Sequence, residues 1–358
     1  MKADNNKVSF FENILLFIGI DVHKSKWVVT IRTYELELKT FSMKPSAEEL
    51  EKFLLKNYPG ADYRIVYECC FSGFWIYDYF AERGYKIIVT PTNRIYKDGS
   101  IIKTDKIDSR KLALQLSRGL LREVIVPAKT IREYKYIFRI YDKQKMRQGQ
   151  ILRQIKAFLE QKNHPLKWEK WNKRLLEKMK GLKFEDKLFD LKFGNLLKEY
   201  DYVTSQIKDS EKIIEKIEED QGLGRRIQIL EKINGIGIIS AVRMSVYLFD
   251  RKERFLSSEK LNHYLGLTPS ERSSGEKITR GRSGMCGNRQ LRSIIIQLAW
   301  KTVRKDGALL DKFNRVYSKS GSKQKAIVAS ARKLMTKIYA AVKKEEEYRI
   351  NIREVKAA

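Results

Sequence analysis

Strand-like and helix-like patterns alternate through the first third of this chain, and their order restricts the fold more than any other feature. Ile14–Ile20 is an apolar run, and Trp27–Tyr34 and Leu36–Met43 follow as two further strand candidates. Lys44-Pro45-Ser46 then opens a helix, with Ser46 as N-cap and Glu49 at the capping-box position. A fourth strand is expected over Tyr63–Tyr67, a second helix over Gly73–Arg83, and a fifth strand over Lys86–Thr90, where Pro91 stops it. Lys103-Thr104-Asp105-Lys106-Ile107-Asp108-Ser109-Arg110 opens a third helix.

Strand, strand, strand, helix, strand, helix, strand, helix is the order of the ribonuclease-H-like fold. The expected class is therefore α/β in the first part and α in the rest. Four acids stand at telling places in this order. Asp21 closes the first apolar run and Glu68 closes the fourth. Asp105 and Asp108, three residues apart, share one face of the third helix. Carboxylates at strand ends, facing a helix that carries two more, suit a pair of magnesium ions, with manganese as a substitute. Hard cations take charged oxygens and need few protein ligands each. A metal pair of this kind cuts or joins phosphodiesters.

Charge points the same way. Lys and Arg number 73 against 44 Asp and Glu, a formal net charge of +29 on 358 residues. Such an excess is self-repulsive until a polyanion neutralises it; nucleic acid is the usual one, and an anionic membrane surface is the competing explanation. No segment approaches the ~20 apolar residues of a bilayer span, so no membrane partner is expected. The run at Ile14–Ile20 is too short for a secretory signal core. Three cysteines, two of them the adjacent Cys69 and Cys70 and the third Cys286, make no disulfide framework, and a reducing cytoplasm fits. Three scattered histidines give no zinc spacing. His23, two residues after Asp21, has two readings: a group that orients a ligand or a phosphate, or, by default, a partly exposed strand-end histidine. Cys69 and Cys70 are expected to pack under the site, and Trp75 and Tyr79 fit packing better than base stacking.

Three segments are expected, 1–130, 131–221 and 222–358. In the middle segment Phe189, Phe193, Leu196, Tyr200, Val203, Ile207, Ser210, Ile214 and Ile217 alternate spacings of four and three, and all but Ser210 are apolar. That is a coiled-coil seam and needs a partner helix. The earlier, more basic helix around Ile137–Leu159 or another copy of the chain would serve. Asn163-His164-Pro165 marks the turn between them. In the last segment, Ile233-Asn234-Gly235-Ile236-Gly237-Ile238 has the look of a helix-hairpin-helix turn. Gly235 and Gly237 would let backbone N–H groups approach a phosphate, although an ordinary interhelical turn has the same composition.

Next comes Ser273-Ser274-Gly275, and the thirty residues Glu276 to Lys305 hold eight Lys or Arg and one acid. Serine beside glycine is common turn chemistry. It also suits a nucleophile that attacks a phosphodiester, with Arg280, Arg282, Arg289 and Arg292 neutralising the developing charge.

Nearly end to end, the chain resembles the insertion-sequence transposases of the IS one-ten family, which include the Piv-type DNA invertases. The resemblance lies in Ile18-Gly19-Ile20-Asp21-Val22-His23-Lys24, in Tyr67-Glu68 followed by Ser72-Gly73-Phe74-Trp75, and in Lys103–Asp108. It continues in Ile233–Gly237, Leu265-Gly266-Leu267-Thr268-Pro269, Ser273-Ser274-Gly275 and Gly287-Asn288-Arg289-Gln290-Leu291-Arg292. It implies a RuvC-like domain with a DEDD set at Asp21, Glu68, Asp105 and Asp108, a coiled-coil arm, and a C-terminal domain with a catalytic serine. That serine falls on Ser274, with Ser273 as the fallback. The Asn288-Arg289 segment would lie among the nucleic-acid-binding residues. Further implications are donor and target DNA as substrates, a noncoding bridge RNA as guide, and a homo-oligomer, a tetramer, acting in the bacterial cytoplasm at the nucleoid. The alternatives are a metal-dependent Holliday-junction nuclease, for which Ser274 is dispensable, and a protein-read DNA invertase.

Overall fold

The computed structural model describes residues 11–92, 105–164, 173–251, 254–274, 277–283 and 287–350. Lys103, Thr104, Pro165, Gly275 and Cys286, which figure in the sequence reading, lie outside the described residues. The chain divides into two compact units, Met1–Val126 and Pro127–Ala358.

The first unit is built on a five-stranded sheet. Its strands are β1 (Leu15–Val22), β2 (Trp27–Arg32), β3 (Glu37–Met43), β4 (Asp62–Glu68) and β5 (Lys86–Thr90), ordered β3-β2-β1-β4-β5. The first three strands are antiparallel neighbours, whereas β1–β4 and β4–β5 are parallel. Helices α1 (Ala47–Asn57) and α2 (Trp75–Glu82) make the crossovers. Ser46 caps α1 as its sequence predicts, its Oγ accepting the Glu49 N–H at 3.1 Å. Both long predicted strands are shorter than expected, because a turn closed by Thr33 N–H to Leu36 C=O at 2.9 Å takes residues 33–36. This mixed sheet, followed by a mainly helical remainder, is consistent with a ribonuclease-H-like domain.

The two faces of the sheet bury different things. Leu16, Ile18, Ile20, Ile65 and Tyr67 alternate onto one face and form a core with Leu50, Leu54, Ile76 and Phe80 of α1 and α2. Gly19 and Val66 lie on the other, where α3 (Asp105–Ser117) packs against β1 and β2. Gly19 is what allows α3 so close. A Cβ at this position would sit 2.3 Å from the Ser109 carbonyl oxygen and 2.5 Å from the Ala113 nitrogen, both backbone atoms. Buried hydroxyls add a polar tie, with Thr30 Oγ1 2.9 Å from Ser109 Oγ and 2.8 Å from Thr40 Oγ1.

Gly19→Ala should therefore push α3 off the sheet, at about the 1–3 kcal/mol typical of an overpacked core. The expected result is a melting temperature several degrees lower. An unchanged melt would show that α3 is not seated as described.

The second unit begins with two long helices, α4 (Lys129–Gln161) and α6 (Lys187–Glu215), joined through α5 (Lys173–Lys180). They run antiparallel: Arg147 pairs with Glu199, and the side chains of Gln148 and Thr204, Gln144 and Ser210, and Tyr141 and Glu211 bond in reversed order. The heptad residues Phe193, Tyr200, Val203, Ile207, Ser210 and Ile214 are buried. Within the chain, then, α4 is the partner helix that the seam requires. Ser210, the polar position in the seam, bonds Gln144 at 2.8 Å.

At the base of this pair, Ile131, Phe138, Ile214 and Ile217 join a helical core. It comprises α7 (Gly224–Glu231), α8 (Ile238–Leu248), α9 (Ser258–Tyr264), α10 (Arg289–Thr302), α11 (Gly307–Ser320) and α12 (Lys323–Lys344). Arg243 of α8, 5% exposed, makes a two-pronged ion pair with Asp142 of α4 at 2.7 and 2.9 Å and lies 4.6 Å from the Phe138 ring centre. Removing one partner of a pair this buried leaves an uncompensated charge, so it fixes α4 against α8. A hairpin of β6 (Pro269–Ser274) and β7 (Lys277–Ser283) leaves the helical core between α9 and α10. Among the described residues no helix is long and apolar enough to cross a membrane.

Candidate active site

The parallel pairing of β1 with β4 brings the first two acids together. Ile20 pairs with Tyr67, so Asp21 and Glu68 each follow by one residue at neighbouring strand ends, on the α3 side of the sheet. Both are half-buried. Seating α3 over Gly19 brings its first turn, with Asp105 and Asp108, to the same edge. Asp21 registers that convergence. Burial raises its carboxyl above the usual range, the Asp105 and Asp108 charges add to the rise, and His23 opposes it without cancelling it.

The β1–β2 turn folds back over these acids. His23 Nε2 lies 3.1 Å from Asp21 Oδ2 and 3.6 Å from Asp105 Oδ1. Lys26 Nζ lies 2.8 Å from Asp105 Oδ2, and this contact holds the Asp105 carboxyl below its ordinary range. The His23 side chain is 46% exposed, as the strand-end reading expects, and bonds the Asp21 carboxylate. Lys26 carries no signal in the sequence beyond the basic turn His23-Lys24-Ser25-Lys26.

Asp21, His23 and Asp105 offer donor atoms that all lie within 4.8 Å of one another; Glu68 and Asp108 flank this set. Two carboxylate oxygens and an imidazole nitrogen make a donor set that fits a divalent metal ion. The alignment of β4 and β5 also exposes Cys69, whose N–H bonds the Thr90 carbonyl at 2.8 Å, instead of packing it under the site; Cys70 is half-buried.

The other predicted site residues lie in the second unit. Ser274 is the last paired residue of β6, opposite Lys277, and Ser273 pairs with Ile278. The serine thus stands at the tip of a hairpin, where sequence suggested a loop. Arg280 and Arg282 are in β7, Arg280 opposite Glu271. Asn288 caps α10, its Oδ1 accepting the Leu291 N–H at 3.0 Å, and Arg292 donates to the Gly266 carbonyl at 2.8 Å. Arg289 is exposed. Gly235 and Gly237 form the turn from α7 to α8. Gly235 has φ +96°, a conformation that side chains resist, and Gly237 is the N-cap of α8. Two cations border this turn: Lys301, whose Cβ lies close to Gly235, and Lys305, whose Nζ is 3.4 Å from Asn234 Oδ1.

Comparison with known proteins matches both parts of the chain. The DEDD transposase model of the IS110 group, described as "Transposase", covers residues 18–164, a span that includes all four acids. The model described as "Transposase IS116/IS110/IS902 family" covers residues 227–315, from α7 through the serine hairpin into α11. A Sinorhizobium fredii protein named as a transposase, y4qE, is 24% identical over 297 residues, which are 79% of this chain and 71% of that protein. With one match over the acid-bearing sheet, another over the serine hairpin and a relative spanning most of both, the chain belongs to the IS110 family of transposases and is a DNA-processing enzyme.

Proposed function

We propose that the protein is an RNA-guided DNA recombinase of an insertion sequence, exchanging strands between donor and target DNA. The observation that carries the proposal is the meeting of Asp21, Asp105 and Asp108 beside the strand end of Glu68 in a chain of net charge +29. Such a concentration of carboxylates is unfavourable without a cation and repels DNA unless one is bound. Asp21, Glu68, Asp105 and Asp108 would hold Mg2+, two ions in the full site, with Mn2+ able to replace them. When bound, the metal supplies positive charge at the scissile phosphate. His23 would orient the Asp21 carboxylate, and Lys26 would neutralise Asp105 until the cation takes over that role.

Ser274 is the proposed nucleophile. Its Oγ–H loses a proton and Oγ bonds to phosphorus, while the phosphorus bond to the 3′ oxygen breaks and that oxygen takes up a proton. The resulting phosphoserine conserves the phosphodiester bond energy. A 3′-hydroxyl from another strand then attacks phosphorus, frees the serine, and leaves the joined strands of a Holliday junction. The sheet unit would act as the RuvC-like domain, residues 131–221 as a coiled-coil arm and residues 222–358 as the transposase domain. The Gly235–Gly237 turn, read as helix-hairpin-helix, would hold phosphate with Lys301 and Lys305 beside it, and Arg280, Arg282, Asn288, Arg289 and Arg292 would line the nucleic-acid surface.

A tetramer, in which the serine of one copy completes the acids of another, and a bridge RNA that pairs with both DNAs follow from the family resemblance. The proposed place of action is the bacterial cytoplasm, at the nucleoid. Specificity would then reside in base pairing while the protein reads backbone and shape. Expression with native flanking DNA, followed by purification and sequencing of the bound RNA, tests this. One discrete RNA encoded in the flank is expected. Heterogeneous RNA alone would reject guidance and favour a protein-read invertase or a junction nuclease.

A further inference from the structure

We propose that Phe71 and Trp75 form a stacking platform for an unpaired DNA base next to the acidic site. The inference rests on reading those acids as the site of DNA cleavage. Large aromatic rings usually find cover, yet Phe71 is 62% exposed and Trp75 46% exposed. Both belong to the segment that leaves β4 just after Glu68.

Two contacts tie that segment to the β1–β2 hairpin, one in its turn and one at the start of β2. Lys24 Nζ sits 5.9 Å from the Phe71 ring centre, and Trp75 stacks on the buried Trp27 with centroids 5.6 Å apart and planes at 29°. The same turn holds His23 against Asp21 and Lys26 against Asp105. The acids meet the β1–β2 hairpin through His23 and Lys26, and the rings meet it through Lys24 of the turn and Trp27 at the start of β2.

The backbone that carries the two rings is also tied down. Tyr67 OH donates to the Gly73 carbonyl at 3.0 Å, the Gly73 N–H bonds the Cys70 carbonyl at 3.2 Å, and Cys69 is tied to Thr90. A backbone ordered in advance lowers the entropy cost of binding. A base is the occupant that suits both parts of the surface: its π-face meets the rings while Lys24 meets the adjoining phosphate. Only an unpaired base offers that face, since a duplex hides its bases in the stack. An unpaired nucleotide beside the acids is what strand exchange would present.

The test uses the full chain in EDTA, so that no cleavage is needed, with 2-aminopurine-labelled single strands and matched duplexes. Phe71→Ala and Trp75→Leu should each weaken single-strand binding about tenfold and leave duplex binding and the salt slope unchanged, because a stacking face is lost but no charge. Unchanged single-strand affinity overturns the proposal, as does an equal loss on duplex. Trp75→Leu keeps an apolar group on Trp27. Should it fail to fold by circular dichroism, Phe71→Ala decides alone, since its ring stands largely in solvent. Strand exchange retained by Asp105→Asn would reject the acid site while leaving this binding result standing.

Discussion

Asp105→Asn is expected to abolish strand exchange, lowering its rate by about a thousandfold or more, because losing several kcal/mol of metal-supplied stabilisation costs a factor of ten per 1.4 kcal/mol. The substitution is nearly isosteric, and the Asp105 side chain is exposed to 38%, so the fold has little to lose. What disappears is one negative charge from the set formed with Asp21 and His23. Mn2+ binding, read by electron paramagnetic resonance, should weaken in parallel. Affinity for nucleic acid should hold or rise slightly, since a repulsive charge has gone. A non-enzymatic binding scaffold predicts no divalent-dependent DNA product even from the parent protein. Full exchange by Asp105→Asn would end the assignment of this acid to the metal site.

The acids were legible in the sequence because each breaks a local rule. Asp21 and Glu68 end apolar runs where a strand needs no charge, and Asp105 and Asp108 recur at helical spacing. Their meeting was not legible from any of those segments alone. It depends on β1 lying beside β4, forty residues away in the chain, and on α3 lying flat over Gly19. A glycine in a strand advertises only that something approaches closely; the α3 backbone is the something.

Lys26 was obscure for a related reason. Turn residues obey no periodicity, and only the register of β1 with β2 shows that the turn folds over the acids. In the helical pair the heptad reading found the buried stripe but chose Leu196 as a seam residue. The structure buries Leu197 more completely, as expected when a straight helix drifts against a seven-residue repeat. Asn288 and Arg292 also make local bonds, to the first turn of α10 and to the Gly266 carbonyl, that their sequence positions did not announce. Polar residues near a basic stretch are drawn into such local bonds as readily as into ligand contacts. The β6–β7 hairpin was missed because its residues lack an apolar alternation, leaving only turn-like composition to read.

Ser274→Ala, with Ser273 intact, should eliminate strand exchange and also the covalent protein–DNA adduct expected of the parent protein after denaturation. The adduct is the sharper of the two readouts. A junction nuclease working through the acids and water forms no such bond, so its product would be free DNA whether or not Ser274 is present. Loss of both adduct and exchange in Ser274→Ala, with both retained in Ser273→Ala, assigns the nucleophile to the residue that ends β6 opposite Lys277. The reverse pattern moves it one residue back, to the position paired with Ile278.

Divalent binding separates this variant from the acid substitution. The acids lie in the first compact unit and Ser274 in the second, so Ser274→Ala should bind Mn2+ like the parent while Asp105→Asn does not. Mixing the two inactive variants carries the argument one step further. If each site takes its serine from one copy and its acids from another, some mixed assemblies contain an intact pair, and partial exchange should return. Should each copy instead supply both its own acids and its own serine, every site in the mixture is defective, and no exchange reappears.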